Sequence, residues 1–105
     1  MSRRVVFEPE ASHELEASAL WYEAQRSGLG LMFLAAVDRT VDHLATWPGA
    51  GTLVPGVPAR LEVRQMPIAR FPYRVAYLLT SQELRVLAVA HTRRRPGYWQ
   101  SRTEP

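Results

Sequence analysis

Arginine and aromatic side chains gather at two places in the second half of the chain. One is Arg70-Phe71-Pro72-Tyr73-Arg74-Val75-Ala76-Tyr77, and the other is Ala90-His91-Thr92-Arg93-Arg94-Arg95-Pro96-Gly97-Tyr98-Trp99. Guanidinium forks grip phosphate or carboxylate oxygens two at a time, and aromatic faces stack on unpaired bases. Strand alternation puts Phe71, Tyr73, Val75, Tyr77 and Leu79 on one face and Arg74, Ala76 and Leu78 on the other. An arginine so flanked buries much of its stem and needs acceptors for its fork. Two sources stay open: an internal carboxylate such as Glu62, or a phosphate clamped from outside. Arg93, Arg94 and Arg95 are either a solvated patch or a phosphate grip. Tyr98 and Trp99 either stack on a partner or fold back over the core. His91 is a candidate general acid or base. It shares a face with Arg74 in one hairpin register and with Tyr73 in the other.

Several chemistries lack their signatures. The chain has no Gly-rich phosphate loop, no His-Glu-x-x-His and no Gly-x-Ser-x-Gly, which removes the basis for nucleotide hydrolysis, zinc peptidase or serine hydrolase activity. His13, His43 and His91 have no ligand-like spacing, and cysteine is absent, so neither a metal site nor a cofactor is expected.

Charge is divided unevenly. Residues 1–59 carry four arginines and seven carboxylates, a net of −3, whereas residues 60–105 carry nine arginines and three carboxylates, a net of +6. The positive field therefore belongs to the second half and suits an acidic or phosphate-bearing partner. At 105 residues and 47% hydrophobic composition, the chain is expected to be one domain, residues 1–105, with a modest core of its own. No apolar run approaches a membrane span or a signal-peptide core, so a cytoplasmic protein without membrane contact is expected.

The elements that position the two clusters follow from hydrophobic spacing. Arg4-Val5-Val6-Phe7 reads as a short strand. Pro9 opens a helix expected over residues 9–26, with Ala11, Leu15, Ala19 and Tyr22 on its apolar face and His13, Glu14, Glu16 and Glu23 mostly opposite. Gly28 ends it. A second helix carries Phe33, Val37, Val41, Leu44 and Trp47 in one stripe and stops at Pro48-Gly49. The short link predicts an antiparallel helical hairpin. Residues 49–58, rich in Gly and Pro, read as a loop. Strands then follow at 61–64, 71–80 and 84–91, with a tight turn near Ser81–Glu83. The order β-α-α-β-β-β predicts an α+β fold, a small antiparallel sheet covered on one face by the helical hairpin.

With these features together, the sequence resembles the RelE/ParE superfamily of type II toxin–antitoxin toxins, the small plasmid-stabilisation proteins. The resemblance rests on Trp21-Tyr22-Glu23, Leu29-Gly30 with Phe33-Leu34, and Pro48. It rests also on the run Arg70 to Tyr77, and on Val86-Leu87-Ala88-Val89-Ala90-His91 followed by Arg94, Pro96, Tyr98 and Trp99. It implies a growth-inhibiting toxin neutralised by a cognate antitoxin that wraps it as a hetero-oligomer. RelE-like members are ribosome-dependent mRNA endonucleases. In that case Arg74, Arg93 or Arg94, and Tyr98 match the cleavage residues: arginines stabilise the phosphoryl charge, and a tyrosine whose proton they loosen acts as base. ParE-like members inhibit DNA gyrase. The net −3 of the helical half, the Arg70-Phe71-Pro72-Tyr73 run and the His91-to-Trp99 ending lean towards ParE. On either branch Arg70, Tyr73, His91, Arg95 and Trp99 are implied as residues that meet the target or the antitoxin.

Overall fold

A computed structural model describes residues 3–58 and 60–103. Strand β1 (Arg4–Phe7) leads into helix α1 (Pro9–Gln25). Proline is tolerated in the first turn because its missing N–H has no partner there, and Glu10 in that turn favours the helix dipole. Helix α2 (Leu29–Thr46) follows after three residues. Its exposed N-terminal amides are met from α1: the Glu23 carboxylate accepts the N–H of Gly28 at 3.0 Å and that of Gly30 at 3.0 Å. Gly28 turns the chain with φ 89°, a conformation that favours glycine.

Phe33, Val37, Val41 and Leu44 of α2 are buried as their spacing predicts. Trp47 is not: it caps the helix at φ −124° and ψ 71°, turned outward ahead of Pro48, and is 64% exposed. The stripe thus ends one turn earlier than expected.

Beyond α2 come a 3₁₀ turn (Pro48–Ala50), β2 (Thr52–Leu53), β3 (Glu62–Pro67), β4 (Tyr73–Leu79), β5 (Glu83–His91) and a final 3₁₀ turn (Gln100–Thr103). The sheet order is β1-β5-β4-β3-β2. Two details correct the expectation. The Gly/Pro-rich loop contains β2, which pairs with Arg64 and Gln65. Side chains stitch that loop down: Arg64 donates to the Gly51 carbonyl at 2.7 Å, and the Tyr77 hydroxyl donates to the Pro48 carbonyl at 2.7 Å. The sheet is also mixed, because β1 runs parallel to β5, with Arg4 opposite Glu83. Alternation along a strand shows which residues face inward, not which distant strand lies beside it or in which direction. Ion pairs Arg4–Glu83 and Arg85–Glu8 flank this parallel pairing.

Between β4 and β5 the register shifts at Ala76/Tyr77, leaving Leu87 as an extra residue on β5. Leu87 and Ala88 consequently both join the same apolar cluster, which strict alternation forbids and a bulge permits. The sheet has a core on each face. One, against the helices, holds Phe33, Val37, Leu44, Val75, Tyr77, Leu84 and Val86. The other holds Val63, Ala76, Leu78, Leu87 and Ala88, and Trp99 closes it. Among the described residues no helix is long and apolar enough to cross a membrane.

Candidate functional site

On the face away from the helices, Ala76 of β4 and Ala90 of β5 carry methyl groups where larger side chains would fill the surface. A groove of about 380 Å³ opens there, between Val54, Pro55 and Gln65 on one side and the segment from Arg94 to Gln100 on the other. Arg74, Arg94 and Arg95 line it, and no carboxylate does among the described residues. A concave surface with cations and no counter-charge is an anion site in chemical terms.

Arg74 reaches the groove from near the start of β4, the central strand, and is exposed, not stem-buried as its neighbours suggested. Its expected internal partner is elsewhere. Glu62 lies opposite Leu79 while Arg74 lies opposite Pro67, at the other end of the paired strands, and Glu62 instead pairs with Arg64 at 3.0 Å. Arg74 makes no ion pair among the described residues.

Register settles the position of His91. It stands opposite Tyr73, the two rings meeting edge to face with centroids 5.0 Å apart, and it also lines the groove. The N–H of Arg93 donates to His91 Nδ1 at 3.0 Å. This tight turn divides the arginine run, placing Arg94 and Arg95 on the groove and Arg93 outside its lining.

Two residues expected to meet a partner are buried. Tyr73 packs with Tyr22 and Phe33, which in turn meet Phe71, and Trp99 is 4% exposed in the second core. Burial of large aromatic area outweighs display in both cases. Arg70 is exposed in the β3–β4 turn with φ 73° and does not line the groove.

Tyr98 departs furthest from expectation. Its hydroxyl donates to Glu14 Oε2 at 2.7 Å, while the Arg94 guanidinium lies 4.0 Å from its ring centroid. Burial, then the hydrogen bond and charge of Glu14, push its phenol far above the ordinary 10.0, and the opposing effect of Arg94 and Arg102 is smaller. The arginines therefore do not loosen its proton, and the role of base does not fit this geometry.

Glu14 and Arg102 carry no mark in the sequence as site residues. Arg102 grips both carboxylate oxygens of Glu14 at 3.0 and 3.1 Å and donates to the Leu87 carbonyl at 2.9 Å. The Val89 N–H donates to Glu14 Oε1 at 3.1 Å. These are backbone groups of β5 beyond the end of β1, so the pair occupies an edge where a strand is missing. Glu14 follows buried Ala11 by three residues, on the flank of the apolar stripe; that spacing was the one available signal. No cluster of metal-ligating side chains occurs among the described residues.

Residues 5–96 match the model of the family described as the ParE toxin of type II toxin–antitoxin systems, parDE. Among solved structures, a chain of the chromosomal ParDE toxin–antitoxin system from P. aeruginosa is similar, with a TM-score of 0.72. It is 18% identical, and the alignment covers 86% of this chain and 96% of that one. No curated protein sequence matches.

Proposed function

From the membership of this chain in the ParE toxin family, we propose that it inhibits DNA gyrase by binding and that a cognate antitoxin silences it by covering the basic groove. The observation that carries this reading is the state of Tyr98. A nuclease of the RelE type needs a group in the groove that accepts a proton from a ribose hydroxyl. The Tyr98 hydroxyl is spent as a donor to Glu14 and holds its proton well above neutral pH. Of the other groups lining the groove, His91 already accepts the Arg93 N–H at Nδ1, and the arginines bind anions and do not accept protons.

The same cations define the antitoxin. A segment bearing Asp or Glu opposite Arg74, Arg94 and Arg95 complements the groove, and its association weakens as salt rises.

The test uses purified protein in two parallel assays: inhibition of gyrase supercoiling, and cleavage of mRNA with and without translating ribosomes. Loss of supercoiling with intact RNA is expected. Ribosome-dependent cleavage abolished by Arg74→Ala would overturn the gyrase reading in favour of the endonuclease.

A further inference from the structure

We infer that Glu14, a residue of the acidic helical half, is the positioning residue for the groove's outer wall and hence for Arg94. The structural part of this inference stands on its own; its consequence for activity rests on the gyrase reading.

After His91 the chain leaves the sheet, and residues 94–103 have no strand to hold them. Among the described residues, every side-chain hydrogen bond tying this segment to the body ends on Glu14 or on the Leu87 carbonyl. Trp99 anchors the segment by burial, which is non-directional. Direction comes from the carboxylate. Oε1 receives the Val89 N–H and Arg102 Nη1; Oε2 receives the Tyr98 hydroxyl and Arg102 Nη2. All four partners are donors, and only an ionised carboxylate offers acceptors to all of them. An amide in its place turns N–H groups towards donors, and an aspartate falls one methylene short.

The chain of dependence then runs to the groove. Glu14 fixes the Tyr98 hydroxyl, the hydroxyl fixes the ring, and the ring carries the Arg94 guanidinium 4.0 Å from its centroid. Arg94 lines the same groove as Arg74, on a wall held by a residue 84 positions before Tyr98 in sequence. The Glu14–Arg102 pair has side chains only 16% and 15% exposed, so each member depends on the other to be tolerated where it lies.

The experiment follows the Arg94 side-chain Nε–H resonance in ¹⁵N-labelled full-length protein, which a ring 4.0 Å from the guanidinium is expected to displace upfield. Glu14→Gln is expected to abolish that displacement while leaving the methyl resonances of Val37, Leu44 and Val86 in place. It should also weaken gyrase inhibition by about tenfold, in keeping with coupled contacts of this kind. Tyr98→Phe, which keeps the ring but not its tie to Glu14, should move Arg94 in the same direction and serves if Glu14→Gln fails to fold. An Arg94 resonance unchanged in folded Glu14→Gln overturns the inference, and so does an unchanged one in Tyr98→Phe where that variant alone folds. A wild-type protein without effect on gyrase refutes the target, and the Arg94 resonance still decides the positioning.

Discussion

The N–H of Gly51 donates to the hydroxyl of Tyr77 at 3.0 Å, joining the loop after α2 to the centre of the sheet. The same hydroxyl donates to the Pro48 carbonyl, so one buried tyrosine satisfies both a donor and an acceptor of a segment with little secondary structure.

Tyr77→Phe keeps the ring in the core and leaves the Gly51 N–H without its acceptor. Loss of about 1–3 kcal/mol is expected, the usual cost of an unsatisfied buried group. Urea denaturation followed by circular dichroism checks it; a midpoint equal to that of the parent would show that solvent replaces the hydroxyl.

Gly30 lies where α2 passes close against α1. A Cβ there would lie 2.6 Å from the Ala19 carbonyl oxygen, which is backbone and cannot swing aside. Gly30→Ala should therefore cost about 1–3 kcal/mol through overpacking, despite alanine's better helix propensity. Thermal melts of the two proteins give the answer, and a stabilised variant would contradict the close approach.

Tyr98 makes stability sensitive to alkali. In the unfolded chain its phenol titrates near 10.0, whereas in the folded protein burial and Glu14 hold the proton to higher pH. Below pH 10 both states are protonated and the folded state keeps its full advantage. Above it the unfolded state sheds a proton that the folded state retains, so stability falls as pH rises. Melting temperatures taken between pH 9 and about 11.5 should decline more steeply for the parent than for Tyr98→Phe. Parallel slopes would rule the phenol out as a cause.

Arg74→Ala separates binding from folding. The side chain is exposed and without an ion pair among the described residues, so stability should change by no more than about 0.5 kcal/mol. Inhibition of gyrase and association with an acidic antitoxin segment should both weaken, and the salt dependence of that association should flatten. Unaltered binding at low salt would remove Arg74 from the recognition surface.

Local signals carried much of this fold. The apolar stripes of both helices, the glycine between them and the turn before β5 all depend on residues near one another, and the structure places them within a residue or two of expectation, Trp47 excepted. What stayed hidden depends on distance. β1 joins β5 across nearly the whole sequence, and β2 exists because Arg64 and Tyr77 reach into the loop that holds it. In the groove, composition pointed to Arg74, Arg94 and Arg95, and they line it. It could not show that Tyr73 and Trp99 serve the core, since a buried aromatic and a displayed one are written with the same letter. Nor could it show Glu14, which looks like any polar residue of an amphipathic helix until Arg102 is beside it.

The parallel pairing of β1 with β5 bears on how the protein is made. On a ribosome β1 must wait for β5, because residues 4 and 83 are neighbours in the sheet. The wall that completes the groove, residues 94–103, is synthesised later still. A growing chain therefore has no finished groove until residues 94–103 have been made and have docked.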